Sequence, residues 1–199
     1  MNRKHVITAL LALTVATGSL ATARAADYAI DPAHSSVGFQ IKHLAIAKVN
    51  GTFSGFEGTI AFEEGKPGAW SVKATIPTAS VDTGNKDRDD HLRSPDFFDA
   101  AAYPTMTFTS TAVTMTSATE GQLQGELTLH GVTRPVTLDL EFNGAVTDPW
   151  GNEKIGFSAS GEIDRKDWGL TFNKTLDNGG LMIGDTVKIS LEIEAARVK

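Results

Sequence analysis

Cysteine is absent from all 199 residues. That excludes a disulfide framework and a thiolate nucleophile, so stability must come from burial and backbone pairing. Long apolar runs are missing beyond the first residues, and nothing later is apolar enough to span a bilayer. A sustained helical periodicity is missing too, which disfavours the parallel α/β classes. Basic residues are the minority, 18 Lys and Arg against 24 Asp and Glu, for a net charge of −6. An acidic surface argues against nucleic acid and anionic membrane surfaces as partners. The phosphate-binding glycine motifs are absent, and Gly51-Thr52-Phe53-Ser54-Gly55 has its serine in the wrong place for a hydrolase elbow. His34, His43, His91 and His130 have no metal-ligand spacing and read as hydrogen-bonded or surface groups.

The chain begins with an export signal. A basic start at Arg3, Lys4 and His5 precedes an apolar run from Val6 to Ala16 and the small-residue site Ala23-Arg24-Ala25. This is the layout of a secretory signal peptide over residues 1–25. Its removal takes away Arg3, Lys4 and Arg24 but no acid, moving the net charge from −6 to −9. The remaining residues, 26–199, suit a single domain with one sizeable core.

That domain reads as strands. Val37, Phe39 and Ile41 alternate with polar or small residues, as do Val136, Leu138, Leu140 and Phe142. Ile155, Phe157, Ala159 and Ile163 share one parity, and so do Val187, Ile189, Leu191 and Ile193. Period two over such lengths means strands with one buried face. Weaker alternation covers residues 59–63, 70–76, 106–115 and 122–129. Turn signals at Glu64–Gly68, Glu120-Gly121, His130-Gly131 and Asp148–Asn152 separate the runs and imply antiparallel hairpins. Gly51, Gly55 and Gly58 suit bulges and sharp bends. An all-β sheet of eight or more strands must close into a barrel or split into a sandwich to cover its apolar face.

One stretch departs from this pattern. Residues 87–99, D-R-D-D-H-L-R-S-P-D-F-F-D, predict a short helix capped by Asp87 and stopped at Pro95, with Leu92, Phe97 and Phe98 as inward anchors. An amphipathic insert among long strands suggests a lid over a container for an apolar ligand. Phe39, Ile41, Met106, Phe108, Leu127, Leu129, Leu138, Leu140 and Phe157 have the parity of a barrel interior. Barrels of about eight strands either fill that interior with side chains or hold a small ligand. Composition leaves both open.

Six blocks, in order, resemble the YceI family of bacterial periplasmic polyisoprenoid-binding proteins. They are His34–Leu44; Val49–Phe53 with Phe56–Ile60; Arg88–Asp99 with Tyr103-Pro104; Leu127–Val136; Gly156–Ala159; and Asp164–Leu170. The second block looks like the family's hairpin after its first long strand, and the third is the most diagnostic. The resemblance implies an antiparallel lipocalin-like barrel with a helical insert near residues 87–99, periplasmic, holding a quinone or polyprenyl phosphate tail. A homodimer is plausible by the same analogy. It supplies no catalytic residues, no metal and no cofactor beyond the bound lipid. On this reading the interior residues above, with Leu92, Phe97 and Phe98, line the tail. Arg88, His91 and Arg93 are candidates for the head group, set against ion pairing within the insert, such as Arg88 with Asp89 or Asp99. Two other readings stay open: an enzyme acting on a periplasmic lipid or small carbonyl compound, and a stress-response interaction module with a solid core.

Overall fold

The computed structural model describes residues 25–176 and 179–199. The signal peptide read over residues 1–25 lies outside them, apart from Ala25. Eleven strands occur among the described residues. They are β1 (Ala26–Ile30), β2 (Ser36–His43), β3 (Ala47–Phe53), β4 (Glu57–Phe62), β5 (Ser71–Pro77), β6 (Val81–Asp82), β7 (Thr105–Met115), β8 (Glu120–Leu129), β9 (Val132–Thr147), β10 (Glu153–Asp164) and β11 (Ile183–Arg197). A single α-helix, α1 (Lys86–Arg93), stands between β6 and β7. No described helix is long and apolar enough to cross a membrane.

Every strand pair is antiparallel, and eight strands close a ring in the order β1, β4, β5, β7, β8, β9, β10, β11 and back to β1. Closure removes the open edges that an apolar-faced sheet would otherwise expose. The ring branches at β11. The C-terminal end of that strand, Ala195–Arg197, pairs with β1, while Ile183–Glu192 pairs with β2, which leads on to β3 and β6. The wall is therefore closed by one set of strands at the end bearing Ala26 and Arg197, the termini of the barrel's strands, and by a wider set at the other. The branch is held by Glu194: its carbonyl accepts from Asp31 N at 2.8 Å and from Ser35 Oγ at 3.2 Å, and its N–H donates to Ser35 Oγ at 2.9 Å.

Two bulges keep the apolar residues pointing inward. Thr111 is the extra residue of β7, so inward positions change from Met106 and Phe108 to Val113 and Met115. Ser110 Oγ there accepts from Val72 N at 2.8 Å, replacing the ladder bond the bulge removes. Asn143 and Gly144 do the same in β9, with Gly144 at φ +123°. Two turn and pairing expectations are corrected. Glu120-Gly121 lies inside β8 rather than in a turn; Gly121 is needed because a Cβ there would sit 2.4 Å from the carbonyl oxygen of Thr114. Val49–Phe53 and Phe56–Ile60 do not pair with each other: β3 pairs with β2, and the chain turns at Ser54–Phe56 so that β4 joins β1 and β5.

Candidate functional site

The barrel encloses a cavity of about 600 Å³, within the range of small-molecule sites. Phe39 and Ile41 of β2, Met106 and Phe108 of β7, Leu127 and Leu129 of β8, Leu138 and Leu140 of β9, and Phe157 of β10 all line it. Leu92, Phe97 and Phe98 of the insert line it as well. The alternation that buries one face of each strand thus surrounds a space rather than filling it.

Aromatic rings close the end that bears the termini. Phe62 lies 4.9 Å from Trp70 and 5.4 Å from Phe142, centroid to centroid, and Phe157 lies 5.2 Å from Phe142 and 5.6 Å from Trp70. Trp70 is fixed by its indole N–H, which donates to the Glu63 carbonyl at 2.7 Å. Trp70 opens the weakly alternating run 70–76, just before β5, and was not singled out as a wall residue because that alternation is faint. Phe53, Phe56, Val72, Phe172, Met182 and Ile183 also line the cavity without having been singled out.

Polar lining groups gather at the opposite end: Lys42, His43, Thr83, Asp87, Arg88, His91 and Arg165, with Ser71 apart from them. The insert spans this end. Its cap is Asn85, not Asp87; the Asn85 side chain accepts from Arg88 N at 3.0 Å. Asp89, buried against the segment that precedes the helix, accepts from Thr83 N at 2.9 Å and Thr83 Oγ1 at 2.5 Å. Arg88 faces the cavity and donates to Thr83 Oγ1 at 2.7 Å and Thr83 O at 2.9 Å, so it is not paired with Asp89 or Asp99. His91 is held by Asp96 at 2.8 Å and packs edge-on against Phe97 and Phe172, each at 5.0 Å. Phe98 turns inward onto Phe53 at 5.7 Å. Arg93 does not line the cavity. Its guanidinium donates to Ala79 O, Val81 O and Asp90, and so fastens the helix to the preceding segment.

Arg165 is the one buried cation among the described residues. It donates to Gly184 O at 2.9 Å and to Leu170 O, and pairs with Asp185 at 3.4 Å. Burial draws its guanidinium below the ordinary value, and Asp185 and Asp164 oppose that. It stays charged. No buried side-chain polar atom of the described residues lacks a hydrogen-bond partner. Outside the cavity, Asp31, His34 and Glu194 bring three ligand-type atoms within 4.8 Å of one another. Lys154 Nζ already lies among them, 2.6 Å from Glu194 and 3.3 Å from Asp31. What this arrangement can do chemically is desolvate an apolar molecule and meet one polar end of it at the open side.

Comparison with known proteins agrees with the fold. The model of the YceI-like domain matches residues 28–195. Protein YceI of Escherichia coli O157:H7 is 47% identical over 165 residues, covering 81% of this chain and 86% of that one. The crystal structure of the Campylobacter jejuni YceI protein superposes with a TM-score of 0.69 at 38% identity, over 85% of this chain and 96% of that one. A polyisoprenoid binding domain from Saccharophagus degradans shares the fold, with a TM-score of 0.63 at 19% identity over 88% of this chain and all of that one.

Proposed function

We propose that this chain, which belongs to the YceI family, is exported to the periplasm through a cleaved signal peptide and binds an isoprenoid lipid there without catalysing a reaction. The observation that carries the reading is the 600 Å³ apolar cavity, closed by aromatic rings at one end and rimmed with polar groups at the other. That asymmetry fits a molecule with a long apolar tail and a quinone or phosphate head. Arg88 and His91 are the head-group contacts in this reading, and Arg93 is a structural clamp. Burial contributes about 0.8 kcal/mol per CH₂, so one five-carbon isoprene unit gives roughly 4 kcal/mol gross. A neutral hydrogen bond to the head nets only about 0.5–1.5 kcal/mol. The tail dominates affinity and the head sets orientation. A carrier or reservoir role and a homodimer belong to the same reading.

The test is lipid mass spectrometry on protein exported and purified without added ligand. Polyisoprenoid should be recovered from the wild-type protein and largely lost from Ile189→Trp, which fills the cavity. Recovery of only short-chain or hydrophilic molecules in repeated preparations overturns the reading.

A further inference from the structure

The tip of the β2–β3 hairpin is built at a cost that a connecting turn does not require. His43, Leu44, Ala45 and Ile46 form a tight turn in which Ile46 N donates to His43 O at 3.3 Å. Leu44 and Ala45 both have positive φ, 53° and 60°. This is the conformation for which Asn-Gly is preferred, and Leu-Ala there sets two Cβ atoms against the backbone. The same tip leaves Ile46 88% exposed. Leu44 N donates to Met182 O at 2.8 Å, which brings in the adjoining loop, where Leu181 is 42% exposed. A lone exposed apolar residue needs no explanation, but here Ile46 and Leu181 share one rim.

Charge marks the same place. Lys42 and Lys48 face each other across the hairpin, both exposed, and neither pairs with a carboxylate among the described residues. Like charges directly opposite are destabilising in a sheet. The rim also continues into the cavity, since Lys42, His43, Met182 and Ile183 line it. An apolar tip flanked by unpaired lysines at the open side matches a bilayer surface, with acyl chains beneath and phosphates above. The net charge of the whole chain argued against anionic membranes. Screening over about 8 Å at physiological salt makes a surface at the tip respond to the nearby Lys42 and Lys48 more than to the net charge of the whole chain.

We propose that the hairpin tip at Leu44–Ala47, with Leu181, docks this protein on a lipid bilayer containing anionic phospholipid, and that cargo passes through the docked rim. The second half of this statement rests on the lipid-binding reading, and the docking itself does not. The test is flotation of the processed protein with phosphatidylethanolamine vesicles containing a minority of phosphatidylglycerol, beside binding of geranylgeraniol in vesicle-free solution. Wild-type protein should float. Ile46→Asp should lower partitioning roughly tenfold or more, the loss expected for one buried apolar side chain. Lys48→Glu should also lower it, more at low salt than at high. Trp150→Ser, an 84% exposed residue at the opposite end, should leave it unchanged. All three variants should bind geranylgeraniol like wild type. A wild type that does not float, or an Ile46→Asp that floats equally, overturns the docking. Flotation without geranylgeraniol binding overturns the cargo reading and leaves the docking standing.

Discussion

At Gly51 and Gly125 the space of a missing side chain is taken by a ring from the neighbouring strand. A Cβ on Gly51 would lie 2.3 Å from Phe39 Cζ, and one on Gly125 would lie 2.4 Å from Phe108 Cζ. The two sites differ in what can give way. At Gly125 the Thr109 carbonyl oxygen is also only 2.7 Å away and belongs to the ladder. Gly125→Ala should therefore cost about 1–3 kcal/mol, read from the denaturant midpoint. At Gly51 the nearest atoms are side chains, so Gly51→Ala should cost less stability and instead push Phe39 into the cavity, weakening geranylgeraniol binding. The sequence announced Phe39 and Phe108 by their parity. It did not announce that they lie over glycines, because that depends on cross-strand register. His91 and Arg88 were legible as candidates only through their block, and Arg93 was grouped with them although three side chains within one and a half helical turns cannot all face the same way.

Among the elements, the branch at β11 is the one whose stability should depend on acidity. Asp31 sits there with its carboxyl held below the ordinary range, chiefly by the hydrogen bond from His34, with Ala33 N and Lys154 adding to it. A carboxyl depressed in the folded state stabilises fully above its unfolded value, and that contribution is lost as pH falls through the folded one. The melting temperature of wild type should exceed that of Asp31→Asn by a constant margin near neutrality, and the margin should close as pH falls below about 4. A margin unchanged down to pH 2 would remove Asp31 from the branch's energetics. Most strands were readable from alternation, and the His130-Gly131 turn from its composition, with both residues at positive φ. What the pattern concealed follows from geometry. The bulge at Thr111 switches parity within β7, which is why residues 106–115 alternate only weakly. β1 is five residues long and shows little periodicity of its own, yet it closes the ring.

For the whole molecule, a tail bound in a cavity of this size adds dispersion contacts with its wall. Ligand binding and folding are then linked by mass action. At a free ligand concentration of about 100 Kd the gain is roughly 2.7 kcal/mol. For a domain of this length that corresponds to a rise in Tm of about 5–10 °C. Delipidated protein should melt lower than protein as purified, and geranylgeraniol should restore the difference in a concentration-dependent way. Equal melting curves would mean that the space is not where the lipid resides.

The aromatic rings that seal the end bearing the termini have a kinetic consequence. With that end shut, a molecule leaves by the path through which it arrived. Whatever obstructs this path slows capture and release by the same factor. Asp96 holds His91 at the open side but does not line the cavity. Asp96→Ala should therefore speed association and dissociation in stopped-flow traces, while Kd shifts by no more than about tenfold, the worth of the one head-group contact His91 makes. On the lipid-binding reading, the rate of exchange is governed at the insert, and the affinity mainly by the wall.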